Sequence, residues 1–364
     1  MKLPISLCMI VNNEQKFIKD CLDSVKDFVS EIVVGDTGST DMTESIAREC
    51  GATVFRMEWK NDFGVARNSV LERASMPYIL VMDADERLNQ SSSDQLIKFF
   101  EYETINPGRV VIKNIVRDND ITFGQATRIF PNLPDYRYTG RVHEQLQYQG
   151  RTPKSIQTNI IIDHLGYEDG IMIERKKIER NLSILTEIGK SSPHDYYIIY
   201  QIGKTHFVAK NYPEAVKYLE KVIKSIPSNS LTSSTFASSA WLTLCYSLYH
   251  MKSFKLLNKY IEEGIEFFSD YTDLYFIYGL SLTSMNHPDA IKMVPLVFNY
   301  CLQLGEADST KYETTMGVGS YKAHYNLGIY WEIIGEIDKA CSHYLIAVQQ
   351  GYQIAGVRLK LLSK

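Results

Sequence analysis

Several common signatures are missing from this chain. None of its six cysteines, Cys8, Cys21, Cys50, Cys245, Cys301 and Cys341, forms a C-x-x-C pair. Most lie inside apolar runs such as Ser6-Leu7-Cys8-Met9-Ile10, so reduced thiols acting as small core residues are expected rather than a disulfide framework. No charge of one sign dominates. The 39 Lys and Arg against 43 Asp and Glu leave a formal charge of −4, which disfavours a nucleic-acid binder that works through its overall charge. No apolar run reaches the roughly 18 residues that a membrane-spanning helix needs. Pro4–Val11 passes directly into Asn12-Asn13-Glu14, too short for the core of a secretory signal and without a cleavage site. A cytoplasmic protein is the expectation. G-x-G-x-x-G and G-x-x-x-x-G-K-[ST] are both absent, which argues against a dinucleotide fingerprint and a P-loop.

What is present is enough for a large core. Of 364 residues, 45% are hydrophobic and 23% charged, which suits two domains or one domain plus an array. Residues 1–165 alternate short apolar runs with helical spacing. Pro4–Val11, Ser30–Gly35, Ala52–Phe55 and Tyr78–Met82 read as strands, and Lys16–Asp27, Thr43–Cys50 and Val65–Ala74 as helices. This pattern predicts a largely parallel sheet with helices on both faces, its ligand edge at the strand ends.

From about residue 171 the strand pattern gives way to helical repeats. Gly203 with His206, Ala215, Leu219, Val222 and Pro227 fits the tetratricopeptide spacing, as do Leu327, Gly328, Trp331, Ala340, Tyr344 and Ala347. Two degenerate units, around Trp241 and around Tyr275 to Gly279, lie between them. The predicted domains are 1–168 and 169–364, with the boundary near Gly166–Gly170. The chain holds 24 Tyr, largely past residue 190. Most are expected to pack at repeat positions, and a minority to line a peptide-binding groove.

Three acidic clusters stand at predicted strand ends: Val11-Asn12-Asn13-Glu14, Asp36-Thr37-Gly38-Ser39-Thr40-Asp41 and Asp83-Ala84-Asp85-Glu86. A D-x-D is weak alone, since acidic residues cap helices and turns. Behind the apolar strand Tyr78–Met82 it reaches the ligand edge, where two carboxylates suit a hard divalent cation that also holds a diphosphate. Asp36 is placed to accept hydrogen bonds from a base N–H or a ribose hydroxyl; the plain alternative is a turn or a helix cap.

These segments, with Cys21-Leu22-Asp23-Ser24-Val25 and Asn61-Asp62-Phe63-Gly64-Val65-Ala66-Arg67-Asn68, resemble the family-2 glycosyltransferases over roughly residues 4–166. The resemblance implies an α/β N-terminal domain of the GT-A type, a Rossmann-like nucleotide-diphospho-sugar transferase fold, followed by an all-α tetratricopeptide-like domain. It also implies a UDP-sugar donor, Mg²⁺ or Mn²⁺, and inversion at the anomeric carbon. Thr127-Arg128-Ile129-Phe130, Gly140-Arg141-Val142-His143-Glu144 and His164-Leu165-Gly166-Tyr167 further resemble the subset that includes the peptide S- and O-glycosyltransferases of glycocin bacteriocins. Bacterial cell-surface glycan transferases share the same layout.

By that resemblance Asp36 contacts uracil or ribose, with Val11, Asn12 and Glu14 around the base pocket. Asp83 binds ribose or assists the metal beside Ala84, and Asp85 is the direct ligand. His164 or His143 supplies a further ligand. Glu144 and His143 are the candidates for the base that an inverting transfer requires. Glu168-Asp169 is read as linker. Arg128 and Arg141 are candidates to neutralise the departing diphosphate, or else form surface ion pairs. Asp62 either meets a sugar hydroxyl or caps the helix after it, and Arg67 and Asn68 face the donor from that helix. The expected partners are a UDP-sugar and an acceptor peptide, with no nucleic acid and a possible homodimer through the helical domain. The alternatives are a cell-surface or lipid-linked glycan acceptor, and a non-catalytic repeat scaffold.

Overall fold

The computed structural model describes residues 2–362 except 102–105, 116–119, 166–170, 233, 235 and 286. It divides into two compact units, one up to Lys177 and one from Ile178 onward. The expected boundary at Gly166–Gly170, with Glu168-Asp169, lies outside the described residues.

The first unit contains β1 (Leu3–Val11), α1 (Ile18–Val25), β2 (Val29–Asp36), α2 (Thr43–Glu49), β3 (Thr53–Arg56), α3 (Phe63–Leu71) and β4 (Tyr78–Val81). It continues with β5 (Glu86–Leu88), α4 (Ser93–Glu101), β6 (Gly108–Ile115), β7 (Ile121–Pro131), β8 (Tyr136–Thr139), β9 (Gln145–Tyr148) and β10 (Ile156–His164). The strands run in the order β3-β2-β1-β4-β7-β6-β10-β5, with β8 and β9 as a separate antiparallel ribbon. β1 explains its own unbroken apolar run. Leu3, Ile5, Leu7, Met9 and Val11 pack with Ile18, Leu22 and Val25 of α1 on one face. Cys8 packs on the other with Val70 and Leu71 of α3 and with Tyr138 and Leu146 of the ribbon. Each fully buried Ile or Leu contributes about 1.5–3 kcal/mol.

The sheet is mixed, which corrects the largely parallel expectation. Parallel pairing is confined to β3-β2-β1-β4 and β6-β10. β7 runs antiparallel to both β4 and β6, and β5 antiparallel to β10. The physical reason is chain length: the stretch joining β6 to β7 is far too short for a parallel crossover, so the two strands close as a hairpin.

The second architecture is all-α, as the repeat spacing predicts. α5 (Ile171–Ser191) is followed by α6 (Tyr196–Val208), α7 (Tyr212–Ser225), α8 (Ser228–Leu231), α9 (Ala237–His250) and α10 (Phe254–Phe267). Then come α11 (Thr272–Ser284), α12 (Pro288–Leu304), α13 (Tyr321–Ile333), α14 (Ile337–Gln349) and α15 (Gln353–Leu362). Asp195 caps α6 by accepting from the amides of Tyr197 and Ile198. Gly328 of α13 lets α14 approach closely, since a Cβ there would lie 2.5 Å from the Tyr344 ring.

The connection between α12 and α13 folds back onto the first helices of earlier hairpins. Tyr312 stacks on Tyr271 with ring centroids 4.2 Å apart. Both Glu313 carboxylate oxygens accept from Lys204 Nζ, at 2.7 and 2.8 Å. Thr314 Oγ1 donates to Asp273 Oδ2 at 2.6 Å, and the Thr315 amide donates to Oδ1 at 2.8 Å.

Candidate active site

Because β1, β2 and β4 are parallel, their carboxyl ends reach one edge. Val11 pairs with Asp36, and Cys8 with Val81 just before Met82-Asp83. The crevice outside such ends is where open α/β sheets bind ligands.

Asp36 is fully buried at the end of β2. Its Oδ1 accepts from the amides of Gly38 and Ser39 at 2.8 and 2.7 Å, and its buried Oδ2 has no hydrogen-bond partner. Asn13, at φ 58°, ties the first loop to the second: its amide donates to Ser39 Oγ, and its Oδ1 accepts from Thr40 N. The Val11 carbonyl accepts from Thr37, Asn12 Nδ2 reaches Thr37 Oγ1 at 3.4 Å, and Glu14 N donates to Thr43 Oγ1.

The loop after β4 is held by charge. Arg67 Nη2 donates to Asp83 Oδ1 at 2.8 Å and Arg67 Nε to Glu144 Oε1. Arg128 Nη2 donates to Asp83 Oδ2 at 3.1 Å and to Glu86 Oε1 at 2.7 Å. The other Glu86 oxygen accepts from the Asp83 amide. Burial alone would raise the Asp83 pKa, but Arg67 and Arg128 outweigh it and hold the carboxyl well below its usual range. Glu86 goes the other way. Burial, with the Asp83 charge beside it, pushes its pKa up against the pull of Arg128. Tyr138, over whose ring the Arg67 guanidinium lies at 5.6 Å, is pushed up to about 12 by burial.

Asp85 and His164 meet across the β5–β10 pairing, in which His164 stands opposite Glu86. His164 Nε2 lies 3.4 Å from Asp85 Oδ2, and the Leu165 amide donates to the Asp85 carbonyl. Burial works against a charged imidazole here. The hydrogen bond and charge of Asp85, backed by Glu86 and Asp83, win, and the His164 pKa lies above its ordinary value.

The structure therefore separates the expected residues. Asp85 and His164 stand together. Asp83, expected at the metal or ribose, has both oxygens engaged by arginines, so its observed work is to fix the loop. Arg128, expected at the diphosphate, is instead bound to Asp83 and Glu86 with a side chain only 13% exposed. Asp62 takes its plain alternative: it caps α3 through Val65 N at 2.9 Å. Asn68 faces β8, where its side-chain amide both donates to and accepts from the Tyr138 backbone. Ala84 is buried and gives its carbonyl to Arg87. Arg141 donates from Nε to Asn61 O, and its backbone, with that of Gly140, receives the first amides of α3. A Cβ on Gly64 would sit 2.8 Å from the Gly140 carbonyl, so glycine is required for this close approach. His143 adopts φ 52° beside Glu144.

Glu86, Asn114 and Tyr138 were not singled out from the sequence. Glu86 was visible as the third acid of its cluster. Asn114 and Tyr138 lie on β6 and β8, for which the apolar pattern gave no strand. Among the described residues no group of three or more His, Cys, Asp or Glu converges to hold a metal. The fit to a divalent ion is that of an open site: a carboxylate and an imidazole, with the other positions left to ligand oxygens and water. His164 Nε2 and Asp85 Oδ2, 3.4 Å apart, share a proton here, and a cation could take that proton's place between them.

Residues 6–168 match the model of glycosyl transferase family 2. The TPR repeat-containing protein Synpcc7942_0270 of Synechococcus elongatus is 31% identical over 228 residues, 60% of this chain and 56% of that protein. The SPbeta prophage-derived glycosyltransferase SunS of Bacillus subtilis is 30% identical over 226 residues, 61% of this chain and 53% of that protein. The lipopolysaccharide core biosynthesis glycosyltransferase LpsC of Rhizobium meliloti is 32% identical over 99 residues, 26% of this chain and 36% of that protein. The chain thus spans little more than half the length of the first two relatives.

Proposed function

We propose that this protein is an inverting glycosyltransferase that moves a hexose or N-acetylhexosamine from a UDP-sugar to a Cys or Ser of a ribosomally made glycocin-type peptide. The observation that carries this reading is the acidic loop after β4, where two buried arginines fix Asp83 while Asp85 and His164 stand side by side at the sheet's ligand edge. The likeness to SunS supports sugar transfer, and the resemblance of the motifs to the glycocin peptide glycosyltransferases supports the peptide acceptor.

The residues divide the work. Asp36 offers its unpartnered Oδ2 to a base N–H or ribose hydroxyl. Asp85 and His164 would hold Mg²⁺ or Mn²⁺, which when bound supplies positive charge against the diphosphate. Arg67 and Arg128 keep Asp83, and through it the whole loop, in place. In the transfer the acceptor sulfur or oxygen bonds to the anomeric carbon as the bond from that carbon to the diphosphate oxygen breaks. The acceptor proton passes to Glu144, with His143 beside it as the second candidate base. A thiol, with a reference pKa of about 8.5, gives up its proton far more readily than a hydroxyl. The helical unit grips the peptide or joins two copies. No described helix is long and apolar enough to cross a membrane, and we place the reaction in the cytoplasm.

A second reading, a cell-surface or lipid-linked saccharide acceptor, is favoured by the likeness to LpsC. The test is incubation with Mn²⁺ or Mg²⁺, a panel of UDP-sugars, and either the Cys- and Ser-bearing peptide encoded beside the gene or a lipid-linked saccharide, read by mass. A hexose-sized gain on the peptide supports the first reading. A gain only on the saccharide replaces it with the second, and no donor consumption at all leaves a scaffold.

A further inference from the structure

Asn114 sits between two strands that meet the site. On β6 it stands opposite His164 of β10 and opposite Thr122 of β7. Its Nδ2 faces two acceptors, the Thr122 carbonyl at 3.5 Å and Thr122 Oγ1 at 3.4 Å. Its Oδ1 therefore faces His164 Nδ1, at 2.8 Å. Turning the amide over would press Oδ1 against the Thr122 carbonyl, acceptor against acceptor. An amide oxygen only accepts, so the imidazole must carry its proton on Nδ1. Asp85 Oδ2, 3.4 Å from Nε2, accepts the second proton of the charged ring; once that proton is lost or replaced by a cation, the neutral ring keeps Nδ1–H and has its lone pair on Nε2.

We propose that Asn114 is a positioning residue: it locks His164 in the Nδ1–H tautomer and so aims the Nε2 lone pair at the point shared with Asp85. Thr122 assists by fixing which way the Asn114 amide faces. The physical logic is that of an outer partner that sets the tautomer and angle of an imidazole donor, whose loss typically weakens cation affinity 10–100-fold. The identity of the cation rests on the function proposed above; the tautomer does not.

Two measurements on the full chain test this. The first is a long-range ¹H–¹⁵N spectrum of the metal-free protein at alkaline pH, where the ring is neutral. His164 is expected as Nδ1–H in the wild type and in Asn114→Asp, whose carboxylate accepts the same proton, but mixed or Nε2–H in Asn114→Ala. A wild-type ring protonated on Nε2 overturns the proposal without recourse to any variant. The second is a Mn²⁺ titration followed by the electron paramagnetic resonance of the free ion. Asn114→Ala is expected to weaken binding at least 10-fold, and Asn114→Asp to stay within a few-fold of wild type. Equal affinity in wild type and Asn114→Ala overturns the proposal. A wild type that binds no Mn²⁺ removes the metal from the proposed function, and the tautomer spectrum then decides the role of Asn114 alone.

Discussion

Arg67 donates to Asp83 at 2.8 Å through Nη2 while its Nε holds Glu144, so a single buried guanidinium from α3 joins the loop after β4 to the turn after β8. Arg67→Ala would leave Glu144 without its counter-charge and Asp83 with Arg128 alone. Removing one partner of a buried pair costs about 3–5 kcal/mol, and the lower end applies because 34% of the Asp83 side chain is exposed. Arg67→Lys keeps the charge but loses the fork and is expected to fall between the two. Urea unfolding measures both; a loss below about 1 kcal/mol in the alanine variant would show that the network does not brace the loop.

Asp83 and Asp85 are expected to fail differently, although they stand two residues apart. Asp85→Asn removes a donor from the open site but breaks no arginine pair. Metal-dependent hydrolysis of the UDP-sugar should fall at least ~100-fold with unfolding stability within about 0.5 kcal/mol of wild type. Asp83→Asn should lower both. His164→Ala should weaken Mn²⁺ binding, and His143→Ala should leave it unchanged. Equal Mn²⁺ affinities in the two histidine variants would remove His164 from the site.

The parallel half of the sheet was legible because its strands are buried on both faces. Their unbroken apolar runs and the helices between them carry the signal, and the acidic clusters fell where those strands end. β6 and β7 were not read, because their faces are only half-buried over much of their length and the apolar runs are diluted. The separation of Asp83 from Asp85 was equally hidden. It depends on Arg67 and Arg128 arriving from α3 and β7, and nothing in a D-x-D spacing says which carboxylate meets a cation and which meets guanidinium. In the helical unit the repeats were legible from small residues and aromatics, but the fold-back of the α12–α13 connection was not. Tyrosines of the excess pack, as is expected of most of them: Tyr271 is fully buried against Tyr312, and Tyr200 stacks on Phe236.

The repeat reading makes its own demand at Gly328. A side chain there would have to displace the Tyr344 ring, itself fully buried and hydrogen-bonded to Glu332 at 2.6 Å. Gly328→Val is expected to destabilise by about 1–3 kcal/mol through overpacking. Gly328→Val combined with Tyr344→Leu should recover part of that loss. Thermal unfolding of the two variants, with no recovery in the double one, would place the cost elsewhere than the ring contact.

Asp273 makes the helical unit's stability depend on pH. Burial pushes its carboxyl up to about 7, and Glu306 adds to this, while the hydrogen bonds from Thr314 and Thr315 pull the other way. In the unfolded chain the same group titrates near 3.9. The folded state thus binds the proton more tightly, so this group's contribution to stability is fully present below about pH 4 and is lost as pH rises through about 7. The loss is on the order of 2–4 kcal/mol. Asparagine can reproduce the neutral form, with Oδ1 accepting from the Thr315 amide and Nδ2 donating to Thr314 Oγ1. Asp273→Asn should therefore match wild type near pH 4 and gain on it steadily up to pH 8, as read by denaturant midpoints of the full chain across that range. Parallel curves for the two proteins would mean that Asp273 is ionised in the fold, with its charge carried by the Thr314 and Thr315 contacts alone.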